Sequence, residues 1–405
     1  MTDLIIDNPQ GVKSTDIIVG IPSLNEAATI GFTTSQVAEG LGTYFPDYRS
    51  AIVNCDNSSP DGTREAFFGA PCAVPRLYAS TPPGIKGKGN NLRNLFKVAV
   101  ELKAQAVVVV DADLTSIEPR WIKNLCEPLL NDYGYVTPIY LRHKYDGIVT
   151  NSLVYPLSRC LYGRRVRQPI GGDFGFSGEM AGYFLENDTW TDAVANYGID
   201  IWMTTLAMYF RKPITQAYLG TPKVHRVMDH GTQSNWAFKQ VVSTIFNLQE
   251  RFAPFWKEVR RSRPTAIFGF GLGESQLPAP VTVDAGLLYG RFHEGAREWG
   301  EMWKEILAPP TLGKLHEVLD MEDRYIEMPS QLWARILFDF AVSYRDRIAD
   351  GETLMNALSP IYSGKSLSYV RATEGMGIGQ AEEHIEAECL AFEESKPYLL
   401  EKWGS

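Results

Sequence analysis

At 405 residues the chain exceeds what one hydrophobic core usually supports, so two domains, or one with a large appendage, are expected. Its 44% hydrophobic and 21% charged residues are those of an ordinary soluble protein, and a net charge of −9 argues against a nucleic-acid partner or an anionic membrane surface. Any anion site must therefore be built locally. Five scattered cysteines, without a Cys-x-x-Cys, read as free thiols in a reducing compartment. No basic-then-apolar leader opens the chain and no apolar run approaches membrane-spanning length, so a cytoplasmic protein with soluble substrates is expected.

Residues 1–15 are polar and read as a loose arm. Asp16 to Pro22 is a first strand ending in Ser23-Leu-Asn-Glu26, and a helix follows to about Gly40. Ser50 to Asn54 is a second strand, closed by a turn (residues 55–63) dense in Asp, Asn, Ser, Pro and Gly, then a helix from Thr63 to Phe68. Strand, helix, strand, turn, helix is a βαβ pattern and implies a parallel, doubly wound sheet. Pro82 to Asn90 carries glycines at 84, 87 and 89 with Lys86 and Lys88, ahead of an amphipathic helix to Lys103. Such a loop can cradle phosphate through backbone N–H groups and an ammonium, or it is simply a flexible glycine-rich connection.

Val107 to Val110 form a strand buried on both faces, ending in Asp111 and Asp113. Ligands of open α/β sheets sit outside the carboxyl ends of the strands, and an Asp-x-Asp there either holds a divalent cation or caps a turn. His225, after a later strand at 214–219, could complete a Mg²⁺ or Mn²⁺ site with Asp113, with His230 as the competing ligand. Asp200 opens an apolar helix, either as an N-cap or as a carboxylate orienting or deprotonating a hydroxyl. Arg142, His143 and Lys144, and again Arg164, Arg165 and Arg167, either select an anionic acceptor or form a solvated face. Asp173 follows Gly171 and Gly172, whose lack of side chains allows close approach to sugar hydroxyls. Beyond about residue 230 no strand pattern recurs. Residues 1–235 are expected to be catalytic, and 236–405 helical, packing on the first domain or joining two copies as a homodimer.

The stretches Ile21-Pro-Ser-Leu-Asn-Glu26, Asn54 to Thr63 and Asp111-Ala-Asp113 resemble nucleotide-sugar-dependent glycosyltransferases of the GT-A fold. Gly87-Lys-Gly89, Gln168 to Asp173, Tyr197-Gly-Ile-Asp200 and Lys223-Val-His-Arg226 narrow the resemblance to mannosylglycerate and glucosylglycerate synthases, retaining enzymes that glycosylate the 2-hydroxyl of glycerate. The resemblance implies an α/β catalytic domain, a nucleoside-diphosphate hexose donor, a divalent cation (Mg²⁺ or Mn²⁺) and a small anionic acceptor such as D-glycerate. It implies that Pro22, Glu26 and Asp56 contact the nucleoside, Lys88 the diphosphate, and Asp111 the ribose or the metal. Asp113 and His225 would ligate the cation, and Gly172 and Asp173 would meet the donor hexose. Asp200 would meet the acceptor hydroxyl or the sugar; Arg142, with His143, would take the acceptor carboxylate. Cys55-Asp-Asn replaces the wider pattern's Asp-Asp-Gly, leaving uracil and guanine both open. The alternative is an inverting enzyme of the same fold acting on a polysaccharide or lipid, with Asp200 as base.

Overall fold

The computed structural model describes residues 5–226, 232–269 and 277–404. It divides into two compact units: Met1–Leu141 with Gln168–His230 and Thr265–Pro278, and Arg142–Arg167 with Gly231–Pro264 and Ala279–Ser405. A single cut near residue 235 therefore describes the chain only coarsely, because it leaves the first unit at Arg142 and returns to it twice.

The first unit is α/β. Its nine-stranded sheet contains β1 (Ile5–Asp7), β2 (Ile17–Ser23), β3 (Ser50–Asp56), β4 (Arg76–Ser80), β5 (Ala106–Val109), β6 (Tyr135–Ile139), β7 (Phe174–Ser177), β8 (Ile214–Tyr218) and β9 (Ala266–Phe268). The spatial order is β1-β4-β3-β2-β5-β7-β6-β8-β9. All neighbours run parallel except β1 against β4, and β7 against both β5 and β6. The arm expected at the amino terminus thus contributes an edge strand, and a short strand does recur after residue 230.

Helices cover both faces. Ala106 and Val108 of β5, with Val110 just beyond it, join a core with Val37 and Leu41 of helix Ile30–Tyr44 and Trp121 and Ile122 of helix Pro119–Cys126. Val107 and Val109 point the other way and are equally buried, which is why four valines in a row suit this central position. On that opposite face Gly20 of β2 leaves room for Leu95 of helix Lys88–Glu101, since a Cβ there would overlap its Cδ atoms. Because β7 runs backwards, its start lies at the carboxyl edge of its parallel neighbours. The register pairs Val109 with Phe174, and continuing it sets Asp111 beside Gly172 and Asp173.

The second unit is helical: Tyr155–Tyr162, Thr232–Arg251, Ala285–Ile306, Pro309–Leu319, Ser330–Arg345, Gly351–Thr373 and Ile378–Trp403, with shorter turns between. Its inserted segment is fastened by cations. Lys144 Nζ donates to the carbonyls of Thr373, Glu374 and Met376 at 2.6, 2.9 and 2.8 Å, which satisfies the end of helix Gly351–Thr373. Arg159, fully buried, pairs with Glu386 at 2.6 Å and Glu393 at 2.7 Å, and Arg167 pairs with Glu382 at 2.7 Å. Part of both basic clusters is thus structural.

Candidate active site

The carboxyl edge of the first unit gathers five ionisable side chains from five chain segments. Asp111 follows β5, and its Oδ1 and Oδ2 accept from Lys88 Nζ at 2.8 Å and Lys223 Nζ at 2.6 Å. Lys223, only 4% exposed at its side chain, also reaches Asp173 Oδ2 at 2.8 Å and the Gly171 carbonyl at 3.0 Å. Asp173, entirely buried, accepts in addition from the Asp111 backbone N–H at 2.9 Å and from the Tyr140 hydroxyl. Asp200 Oδ1 lies 3.7 Å from Lys88 Nζ and makes no hydrogen bond, although buried. An orphaned buried acceptor aimed into a cluster of charge is a place for a ligand's hydroxyl.

Burial would drive the Lys88 ammonium towards neutrality, but the carboxylates of Asp111 and Asp200 outweigh it and raise its pKa above the ordinary lysine value. The same balance, set by Asp111 and Asp173, raises Lys223. Burial pushes Asp111 up, but Lys223 and Lys88 outweigh it and hold its carboxyl well below the usual range. Asp200 goes the other way, its pKa raised by burial beyond what Lys88 offsets. Its helix, Ile199–Tyr209, has Gly198 at the N-cap, so Asp200 lies in the first turn without capping it.

Asp113 takes a separate path. Its Oδ1 is 2.8 Å from His225 Nδ1, and the backbone fixes the pair: Leu114 and His225 form an antiparallel bridge, and Arg226 N–H donates to the Asp113 carbonyl at 2.9 Å. Both side chains are about one-third exposed, at 27% and 31%. One oxygen and one nitrogen donor open to solvent suit Mn²⁺ or Mg²⁺ that takes its remaining ligands from water and phosphate oxygens. Among the described residues no three such donors converge, and Asp113 and His225 are the pair that would hold a metal here. Asp111 serves as counter-ion to Lys88 and Lys223. His230 lies outside the described residues.

At the neighbouring strand ends, Glu26 Oε2 accepts from Thr29 Oγ1 at 2.9 Å and faces Arg226 at 3.6 Å, and burial raises its pKa. Pro22 is the penultimate residue of β2. Asp56, at the tip of β3, has both oxygens engaged, by Ser23 Oγ, Ser59 N–H, Ser59 Oγ and the Tyr78 hydroxyl, all at 2.7–2.8 Å. Its carboxylate organises the turn. The glycine-rich loop also differs from a phosphate cradle: Gly87 N–H donates to Asn57 Oδ1 at 3.0 Å and Gly89 N–H to the Asn196 carbonyl at 3.2 Å. A Cβ on either would strike the backbone at Val194 or Ala195, so these glycines serve close packing and leave Lys88 as the loop's contribution. Gly172 has a site role: with φ +86°, it occupies space where a Cβ would run into Lys223 Nζ and Asp111 Oδ2. Arg142 and His143 belong to the other unit, where Arg142 faces Asp146 at 3.9 Å and His143 Nδ1 accepts from Tyr145 N–H at 3.3 Å. Sequence reasoning assigned no role to Lys223 or Tyr140. Lys223 opens the stretch Lys223-Val-His-Arg226, but nothing in its spacing says that it reaches back across 112 residues.

No family model matches the chain. By sequence it is similar to synthases of glycosylated glycerates. It is 23% identical over 214 residues to the mannosylglycerate synthase of Rhodothermus marinus, covering 51% of this chain and 49% of that protein. It is 27% identical over 207 residues to the glucosyl-3-phosphoglycerate synthase of Petrotoga mobilis, covering 46% and 62%. The match thus spans about half to three-fifths of these relatives. Among solved structures, the glucosyl-3-phosphoglycerate synthase of Mycobacterium tuberculosis with Mn²⁺, uridine diphosphate and glucosyl-3-phosphoglycerate is 24% identical, over 57% of this chain and 79% of that one. Its TM-score of 0.45 is too low to establish a shared fold by itself.

Proposed function

We propose that the chain is a glycosyltransferase that moves glucose or mannose from a nucleoside-diphosphate sugar to the 2-hydroxyl of glycerate or a related small anion, with retention at the anomeric carbon. The observation that carries this reading is Lys88 and Lys223 bracketing Asp111 beside the Asp113–His225 pair, all at the carboxyl edge of a largely parallel sheet. The similarity to two synthases of glycosylated glycerates supports it.

Asp113 and His225 would hold a divalent cation, which when bound supplies charge neutralisation at a diphosphate. Lys88 opens a helix, so its ammonium and the helix dipole both favour an anion there, and its raised pKa keeps it charged while phosphate charge grows. Asp173, buried and immobilised by Lys223, Tyr140 and the Asp111 N–H, would meet the donor hexose by fixing the Lys223 and Gly171 that border it. Asp200 Oδ1 is the free acceptor for an incoming hydroxyl's proton, as a hydrogen-bond partner in retaining transfer. Pro22, Glu26 and the turn that Asp56 organises line the strand ends where a nucleoside would rest.

The test is a matrix of UDP-glucose and GDP-mannose against D-glycerate and 3-phosphoglycerate, reading nucleoside-diphosphate release with and without Mn²⁺ or Mg²⁺, and the product's anomeric configuration by NMR. Metal-dependent release with one pair and a retained anomeric centre supports the reading. An inverted centre refutes retention, and silence with every pair refutes the acceptor class.

A further inference from the structure

The helical unit contains a second concentration of positive charge that the proposed reaction does not use. A two-residue parallel ladder pairs Arg164 with Arg263 and Arg165 with Pro264. Arg260 and Arg261 sit in the turn just before it and are exposed, as is Arg263. Two arginines directly opposite one another in a ladder project from the same face within a few ångströms, an arrangement whose repulsion costs stability. Several arginines of this acidic chain pair with carboxylates, for example Arg49 with Asp16 and Arg347 with Glu250. Arg164, Arg260, Arg261 and Arg263 make no side-chain ion pair or hydrogen bond among the described residues.

The backbone holds the cluster in place. Gly163 adopts φ +67°, and a Cβ there would press on the Arg261 carbonyl and Val259 Cγ1. Arg263 N–H donates to the Gly163 carbonyl at 3.0 Å. Beneath, the buried Lys396 ammonium donates to the carbonyls of Cys160, Trp256 and Val259 at 2.9, 2.8 and 2.8 Å, tying the two segments to one point. Arg165 Nε and Arg159 Nε both donate to Ser262 Oγ at 3.2 Å, fixing the turn from its other side.

We propose that Arg164 and Arg263, with Arg260 and Arg261, form a second anion site that takes a compact, multiply charged phosphate. Guanidinium forks match phosphate oxygens in pairs, and a dianion placed between opposed arginines relieves their repulsion. Other polyanions fit less well. Tyr162 and Trp256, aromatic side chains of the neighbouring helices, are buried and offer bases no stacking platform.

Hydrogen exchange of the full chain, followed by mass spectrometry with and without pyrophosphate in EDTA, tests this site separately from the carboxyl-edge cluster. Pyrophosphate is expected to slow exchange across residues 257–265, and Arg164→Gln/Arg263→Gln to weaken that protection by roughly tenfold in ligand concentration. A double Arg→Lys variant, which keeps the charge at both positions, retains part of it. The control Arg291→Gln/Arg297→Gln, exposed positions on helix Ala285–Ile306, leaves it intact. Protection absent from residues 257–265 in the unaltered chain, undiminished in the double Gln variant, or equally lost in the control overturns the proposal.

Discussion

Lys223→Met tests the electrostatic centre of the site most sharply. The substitution keeps much of the side chain's volume and deletes an ammonium that sits 2.6 Å from Asp111, 2.8 Å from Asp173 and 3.0 Å from the Gly171 carbonyl. Removing one partner of a buried charge pair costs about 3–5 kcal/mol, because the other charge stays buried and uncompensated. Here the cost should fall at the lower end, about 3 kcal/mol at neutral pH, since Lys88 still neutralises Asp111 Oδ1 and Asp173 keeps the Tyr140 hydroxyl and the Asp111 N–H. The pH dependence has a definite sign. Asp111 is depressed in the folded state, so its contribution is present above the ordinary carboxylate pKa, about 4, and is lost as pH falls through the folded value. Lys223 is raised, so its contribution is present below the ordinary lysine pKa, about 10.4, and is lost as pH climbs through its folded value. The stability gap between the parent and Lys223→Met should therefore be widest near neutrality and narrow in acid, where the stranded carboxylates of the variant take up protons. Urea unfolding followed by tryptophan fluorescence at neutral and mildly acidic pH measures it. A gap below about 1 kcal/mol at neutral pH, or one that widens in acid, refutes the reasoning.

Other substitutions separate the roles of neighbouring residues. Gly172→Ala places a methyl group against Lys223 and Asp111 at a positive φ, and should lower stability by about 1–3 kcal/mol in thermal unfolding, whereas Gly182→Ala, with open space around it, should not. Asp113→Ala should abolish nucleoside-diphosphate release while leaving the circular dichroism spectrum unchanged; full activity of this variant in chelator refutes the metal role. Asp200→Asn keeps the shape and removes the charge, and should cut transfer by roughly a hundredfold, the loss of a hydrogen bond to a charged group, with little change in donor affinity by calorimetry. Arg159→Leu removes the buried partner of two partly exposed glutamates and should destabilise the helical unit by about 1–2 kcal/mol, less than for a fully buried pair, read by hydrogen exchange in helix Ile378–Trp403.

The α/β class and the position of the Asp-x-Asp were legible because a run of four valines has few other uses than a strand covered on both sides. The helical character expected beyond residue 235 is also observed, in helices such as Ala285–Ile306, Pro309–Leu319 and Ser330–Arg345. Shorter signals failed for physical reasons. Ile5–Asp7 and Phe174–Ser177 are three and four residues long, and their strand character comes from neighbours supplied by distant sequence. The glycines at 87 and 89 read equally well as a phosphate loop or as close packing, and only the proximity of residues 194–196 decides between them. Basic residues 144, 159 and 167 find their partners more than 200 residues away, beyond any local pattern.

The most direct measurement is the anomalous-scattering map of a crystal grown with Mn²⁺ and an intact nucleoside-diphosphate hexose. A manganese peak within bonding distance of Asp113 and His225, with the diphosphate reaching Lys88, is the expected result. A peak elsewhere, or a diphosphate lodged away from the strand ends, contradicts the proposed chemistry at its origin.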